Sequence, residues 1–377
     1  MKKIWRRLGI LVLSTLVIST TCAFTNVNAS TASTLPSSVA LMTKNAASLY
    51  MGWNKISVVD FQKLYDFSGK QIAYSVDINN VGTGEHGYVI LSSISNDEPI
   101  VQFSKSNYSA FRNTLSSNDT CVFDGEFGFY AKSSDPQKAY YTIPDKKVVP
   151  SDVVASLVDG AKSHNYQSIN PTESNRIRSK LESKEFTTKS STTAQGQIIP
   201  MSTTYNTLTG VPSYDWYLGC APTSAAMVME YMFYYQTPSP DECIRLLAND
   251  METDSSGNTY IQKIWQGMNL AMEYYGINGY QSTGTLFGRL DATFDAVKNE
   301  INNGRPLVTS FIGSSISTSG YPNGFGDHST CGIGWWQYTG DSPYLIVYDT
   351  DVADGEVWIN YNSSMMGTPY WTYVDPA

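Results

Sequence analysis

Three residues in the second half of this chain are of types that could form one reaction centre: a cysteine, a histidine and an aspartate. Cys220 opens CAPTSAAMVMEYM, in which Ala225, Met229 and Met232 recur at helical spacing. Pro222 suits a first helical turn, where its missing N–H has no partner to lose. The thiol is therefore expected at the N-terminus of a helix, the positive end of the helix dipole. Such a position stabilises a thiolate, and so does a neighbouring imidazole. The chain has three histidines, and only His328, in GDHSTCGIGWW, shares a region with Cys220; His86 and His164 lie far upstream. His328 follows the Gly-rich SGYPNGFGD and opens an expected strand. An imidazole used as base and acid needs a third group to fix its tautomer and orientation. Asp349, closing the apolar run YLIVYD, would reach His328 if the two strands paired antiparallel. On residues alone Cys220 keeps three readings: a packed small hydrophobe, half of a disulfide with Cys331 or Cys243, or a nucleophile. Cys331 lies three residues past His328, an odd spacing that puts it on the other strand face, so it and Cys243 are expected to be buried bystanders.

These residues need elements to carry them. After the Cys220 helix, Ser239-Pro240-Asp241-Glu242 reads as a capping box before CIRLLANDM. A third helix is expected over about 260–275, stopped by Gly276, and a fourth over about 286–303, closed by Gly304, which hands the chain to the strand PLVTSFI. Further strands follow in STCGIGWWQY, YLIVYDT and EVWINYN. Helices first and strands after, without strand–helix alternation, predict an α+β domain with an antiparallel sheet over 206–377. Upstream, QIAYSVDIN, HGYVILSSI and PIVQFS read as short strands. Residues 151–182 read as helical, with Ser151 and Ser174 as caps. Residues 30–183 thus form a smaller α+β domain, and the Thr/Ser-crowded stretch 184–205 has linker composition, where proteolytic cutting concentrates.

The ordered set of segments resembles papain-like cysteine peptidases, closest to the double-glycine (bacteriocin-leader) peptidase-like group. GCAPTSAAMVMEYM is similar to that group's nucleophile helix, and VKNEINNGRPLVTSF to its helix-to-strand passage. GDHSTCGIGWW is similar to its histidine strand and YLIVYDT to its acidic strand. The resemblance covers about 206–365 and implies Cys220 as nucleophile, His328 as general base and acid, and Asp349 as the orienting residue. It also exposes a departure: such enzymes carry a Gln shortly before the nucleophile to help bind the oxyanion, whereas VPSYDWYLG has none. Tyr214 and Asp215 occupy the corresponding positions and become the oxyanion candidates. Trp216, Trp335 and Trp336 are candidates to line a substrate groove. HGYVILSSISNDEPIVQFS resembles a segment of streptopain-type prosegments, which implies a first half that packs on the catalytic domain and is cut away in the linker.

Composition narrows the partners. The chain is 41% hydrophobic and 16% charged, enough apolar content for packed cores. Lys2, Lys3, Arg6 and Arg7 precede an apolar run, and Val27-Asn28-Ala29 offers a small-residue cleavage site, so residues 1–29 read as a signal peptide and the protein as secreted. That segment carries four positive charges and no acidic residue; the formal charge of −9 becomes −13 without it. No basic stripe exists to bind nucleic acid, and no second apolar run has membrane-spanning length. The acidic runs 349–356 and 250–258 echo a calcium loop, but the Gly is displaced in one and replaced by Ser255 in the other. No metal and no cofactor are expected. The expected function is a secreted cysteine peptidase acting on peptide or protein substrates, made as a zymogen. The alternatives are a non-catalytic extracellular binding or adhesion module on the same fold, and an amidase or transpeptidase acting on cell-wall peptides.

Overall fold

A computed structural model describes residues 34–184, 203–312 and 327–377, apart from 113–114, 116–117, 126–127, 135–138, 144–145, 339–340 and 352–354. The expected signal peptide, most of the expected linker and most of the Gly-rich loop before His328 lie outside the described residues. The first half opens with α1 (Ser37–Ala46) and one π-helical turn. It continues with β1 (Ile56–Tyr65), β2 (Gln71–Asn80), β3 (His86–Ser92), β4 (Ile100–Ser104), β5 (Thr120–Phe123), β6 (Phe129–Lys132) and β7 (Tyr140–Thr142). Two helices follow, α2 (Ser151–Ser163) and α3 (Pro171–Leu181), inside the stretch 151–182 expected to be helical. The break falls at 164–170, and Asn170, not Ser174, caps α3 by accepting the Glu173 N–H at 3.3 Å. Ser174 is buried inside the helix, its hydroxyl 2.6 Å from the Glu98 carboxylate.

The second half begins with β8 (Thr203–Thr207), which starts inside the stretch expected to be linker. Then come α4 (Cys220–Phe233), α5 (Pro240–Asp250), α6 (Ile261–Tyr274), β9 (Tyr280–Gly284), α7 (Phe294–Asn302), β10 (Leu307–Ile312), β11 (His328–Tyr338), β12 (Tyr344–Asp349), β13 (Gly355–Asn360) and β14 (Thr368–Pro376). The class is α+β with a largely antiparallel sheet, as the order of patterns implied. Ser239 precedes α5 as expected, but its hydroxyl bonds the Glu242 carboxylate at 3.0 Å and makes no side-chain bond to the helix backbone.

Residues 36–377 form one compact unit built on one continuous sheet, in the order β7-β6-β5-β1-β2-β3-β4-β13-β12-β11-β10-β14-β9, with β8 also pairing β11. The halves are joined in mid-sheet, where β4 pairs antiparallel with β13 (Phe103 opposite Trp358, Gln102 opposite Ile359). Strands near the centre are covered on both faces, so β12 reads as an apolar run without alternation. One core cluster lies between α7 and this sheet, including Phe294, Val297, Ile301, Trp335, Leu345, Val347 and Trp371. β11 organises the second half. Its first part pairs β10, its second part β8, and its other edge β12.

Candidate active site

The turn before α4 sets the thiol. Leu218 has φ 61° and Gly219 φ 147°, two successive positive values immediately before Cys220. Such φ is costly for leucine and holds only where the surroundings impose it. Here the imposing groups are visible. The Thr223 hydroxyl, one turn into α4, lies 2.7 Å from the Gly219 carbonyl and accepts the Tyr217 N–H at 3.1 Å. The Trp216 N–H donates to the Thr350 carbonyl at 2.7 Å, fixing the turn beside the end of β12. At Gly219 a Cβ would sit 2.7 Å from the Gly257 carbonyl oxygen, so the close approach requires glycine. Cys220 is the first residue of α4, and its thiol is half-buried. The N–H groups of a first helical turn have no intrahelical acceptor, so both the dipole and free donors converge there.

His328 arrives from the sheet. The last registered pair of β11 and β12 places Cys331 opposite Tyr348. His328 and Asp349 therefore lie just past the end of that ladder, where side chains can converge. His328 Nε2 is 2.9 Å from Asp349 Oδ1, and both residues are buried. The Cys220 side chain is among the groups that act on the same imidazole. With Nε2 on Asp349, Nδ1 is the nitrogen left to face the thiol. α4 is held to the histidine strand directly, because the Ser224 hydroxyl donates to the Ser329 carbonyl at 2.9 Å. Burial pushes the His328 pKa down. The Asp351 charge, then the hydrogen bonds with Asp349 and Cys220, outweigh it and hold the imidazole well above its usual range.

The structure thus brings Cys220, His328 and Asp349 together and distributes the other expected residues differently. Tyr214 donates its hydroxyl to Glu230 Oε2. Burial and then that bond push the phenol pKa up; the group is committed to Glu230 and not presented to a reacting carbonyl. Asp215 is exposed. Trp216 is 43% exposed beside the turn, with Lys147 from the first half 5.6 Å from its ring centre, and it packs against Gly257. Trp335 and Trp336 do not line an open groove, because β11 is covered on both faces. Trp335 is buried in the α7 core, its indole N–H on Asn302 Oδ1 at 3.1 Å. Trp336 is buried against Tyr50 of the first half, with ring centres 5.3 Å apart.

Cys121, Cys220, Cys243 and Cys331 are all free thiols. Burial pushes Cys121 and Cys243 up to about 12 and raises Cys331 further. In the 250–258 run, Asp254 accepts from the N–H groups of Ser256 and Asn258, so this acidic residue organises a turn. Residues 352–354 of the other acidic run lie outside the described residues. Ring nitrogen and carboxylate oxygens of His328, Asp349 and Asp351 lie within 4.8 Å of one another. Nε2 of that ring is the nitrogen bonded to Asp349.

Several contributors were invisible to motif reading. Asp351 is the nearest, an acid of the run 349–356 that stood close enough to Asp349 to rival it for the orienting role. Thr223 and Ser224 sit inside α4 as polar residues on a buried face, a pattern that does mark them. Tyr88 of β3 is farther off in sequence, yet burial and then the Asp349 charge push its pKa up.

No curated protein matches the chain. Residues 204–375, which hold the Cys220, His328 and Asp349 cluster, match the model of the Peptidase_C39 like family, and this part of the chain is accordingly similar to a family of cysteine peptidases.

Proposed function

We propose that the protein is a secreted cysteine peptidase that hydrolyses peptide bonds through a thioester on Cys220. One observation carries this reading: a thiol at a helix N-terminus acts on an imidazole whose Nε2 lies 2.9 Å from a buried carboxylate. The Cys220 thiolate attacks the scissile carbonyl carbon, and the negative charge moves to oxygen, where the Cys220 backbone N–H supplies a donor. His328 gives its proton to the departing amine, the C–N bond breaks and the acyl group remains on sulfur. His328 then takes a proton from water; the hydroxide adds to the thioester and the acid leaves as the thiolate is restored. Asp349 keeps the ring in the tautomer and orientation both steps use. The proposal includes export by residues 1–29 and a zymogen cut within 184–205. Lys147 over Trp216 and the effect of Asp349 on Tyr88 support a first half that stands beside the site.

The test is alkylation of the protein from Ser30 onward against pH, with peptide cleavage followed in parallel. Because Cys121, Cys243 and Cys331 are buried with raised pKa values, labelling at neutral pH reports Cys220. Rapid labelling persisting to about pH 5 and lost in His328→Ala, with cleavage lost in Cys220→Ala, is the expected result. Labelling that climbs only above about pH 8, without cleavage, would sink the proposal. The second reading, a non-catalytic binding module on the same fold, is favoured by the engagement of Tyr214 with Glu230, which leaves no side-chain oxyanion donor among the expected positions.

A further inference from the structure

Asp351 is exposed, two residues past the carboxylate that holds the imidazole, and it acts on the site by two routes. Its backbone N–H donates to Asp349 Oδ1 at 3.0 Å, the same oxygen that receives His328 Nε2. Its carboxylate also comes within 4.8 Å of the ring nitrogen and of the Asp349 carboxylate. Two anions therefore face one imidazole, one inside the protein and one at its surface. Among the described residues, the groups that act on His328 include Cys220 from α4, Asp349 from the end of β12, and Asp351 from the turn after it, and the Asp349 charge also reaches Tyr88 of β3.

We propose that Asp351 is a positioning residue of this site, a second carboxylate that keeps the imidazolium of His328 opposite the Cys220 thiolate after Asp349 has fixed its orientation. This rests on the cysteine-peptidase reading and extends it. Asp349 is buried and directional, so it sets the ring's geometry. Asp351 is solvated and works through charge, so it sets how far up the pH scale the ion pair survives. An opposite charge at about 4–6 Å moves a pKa by about one to three units, and exposure reduces that toward the lower end. Among the raising influences on His328, the Asp351 charge is the foremost, and this agrees with the geometry.

The experiment compares Asp351→Asn and Asp351→Glu with the parent, all from Ser30 onward. Both variants keep the backbone N–H to Asp349, so only the carboxylate is tested. The alkaline limb of kcat/KM for peptide cleavage should move down by about one pH unit in Asp351→Asn. Activity should then be about tenfold lower on that limb, with only a small change near pH 6, and Asp351→Glu should restore the parent profile. A merely structural residue would lower the whole profile without moving it. The ring titration of His328 is also followed by NMR in Cys220→Ala with and without Asp351→Asn, which needs no catalysis. A fall of about one unit supports the proposal, and raised salt should shrink the difference by screening. An unchanged alkaline limb and an unchanged ring titration would overturn it. A parent protein that neither labels nor cleaves, yet shows the Asp351-dependent titration, would remove the peptidase reading and leave the Asp351 assignment standing.

Discussion

His328 shows how one side chain gathers the constraints that make a site. Alone, a buried imidazole loses its charge, because burial disfavours the protonated form. Here that cost is offset by anionic partners arranged around the ring. Tyr214 illustrates the opposite case, a residue of the right type in the expected segment whose hydroxyl is already committed. If Tyr214 only braces Glu230, Tyr214→Phe should leave kcat/KM within about threefold of the parent and cost about 1 kcal/mol of stability. Loss of an oxyanion donor would instead lower the rate by about 100-fold to 1,000-fold. Steady-state kinetics with a thermal melt separates the two, and a hundredfold fall without destabilisation would return Tyr214 to the oxyanion.

The turn and helix that present Cys220 carry the next level of argument. Gly219 has a φ that disfavours any side chain, and the Gly257 carbonyl fills the place a Cβ would take. Gly219→Ala should therefore displace the start of α4, cost about 1–3 kcal/mol, and slow Cys220 alkylation even where the protein stays folded. An alanine variant with parent-like labelling would show that the turn tolerates what the backbone forbids. These local features explain what the sequence could reveal. α4 was readable because proline, cysteine and an apolar period agree within fourteen residues, and β10 to β13 because each is a sustained apolar run. The fourth helix was expected from about Leu286. The chain instead makes a turn there: the Asp291 carboxylate takes the N–H groups of Leu286 and Phe287, Gly288 has φ 58°, and Thr293 caps α7. β8 (TTYNT) carries no strand alternation and exists because β11 offers it an edge. Trp335 and Trp336 misled for a related reason, since alternation along a strand says nothing about what covers each face. The Asp349 charge acts on Tyr88 across 261 positions, a proximity that only the assembled sheet creates.

The whole molecule is bound by a seam that mixes sheet pairing with buried acids. Beyond the β4–β13 ladder, Tyr50 donates to Asp341 at 2.8 Å, Asn360 bonds the Glu98 carboxylate and the Ile100 carbonyl, and the Ser364 N–H bonds Asp97. Burial pushes Asp341 up to about 6, against the lowering effect of Tyr50, and raises Asp97 and Glu98. A carboxyl whose folded pKa exceeds its unfolded value binds more protons when folded. Its stabilising share is therefore full below about pH 4 and is lost as pH rises through about 6. The melting temperature should show a declining contribution over that window, and Asp341→Asn should remove part of it, on the order of 2 kcal/mol. An unchanged pH slope in that variant would mean the carboxyl is not buried in solution. The same seam bears on processing. A peptide cut between 184 and 203 severs the covalent link but leaves the continuous ladder, the Tyr50–Asp341 bond and the Trp336–Tyr50 contact intact. Separation would bare the edges of β4 and β13 together with Trp336, Phe103 and Trp358, an exposure of strand edge and aromatic surface that proteins avoid. The cut pieces should therefore co-elute as one species on gel filtration under native conditions and part only in denaturant. Spontaneous release of the first half after cutting, with the second half remaining soluble and rapidly alkylated at Cys220, would instead show that it behaves as a dissociable prosegment.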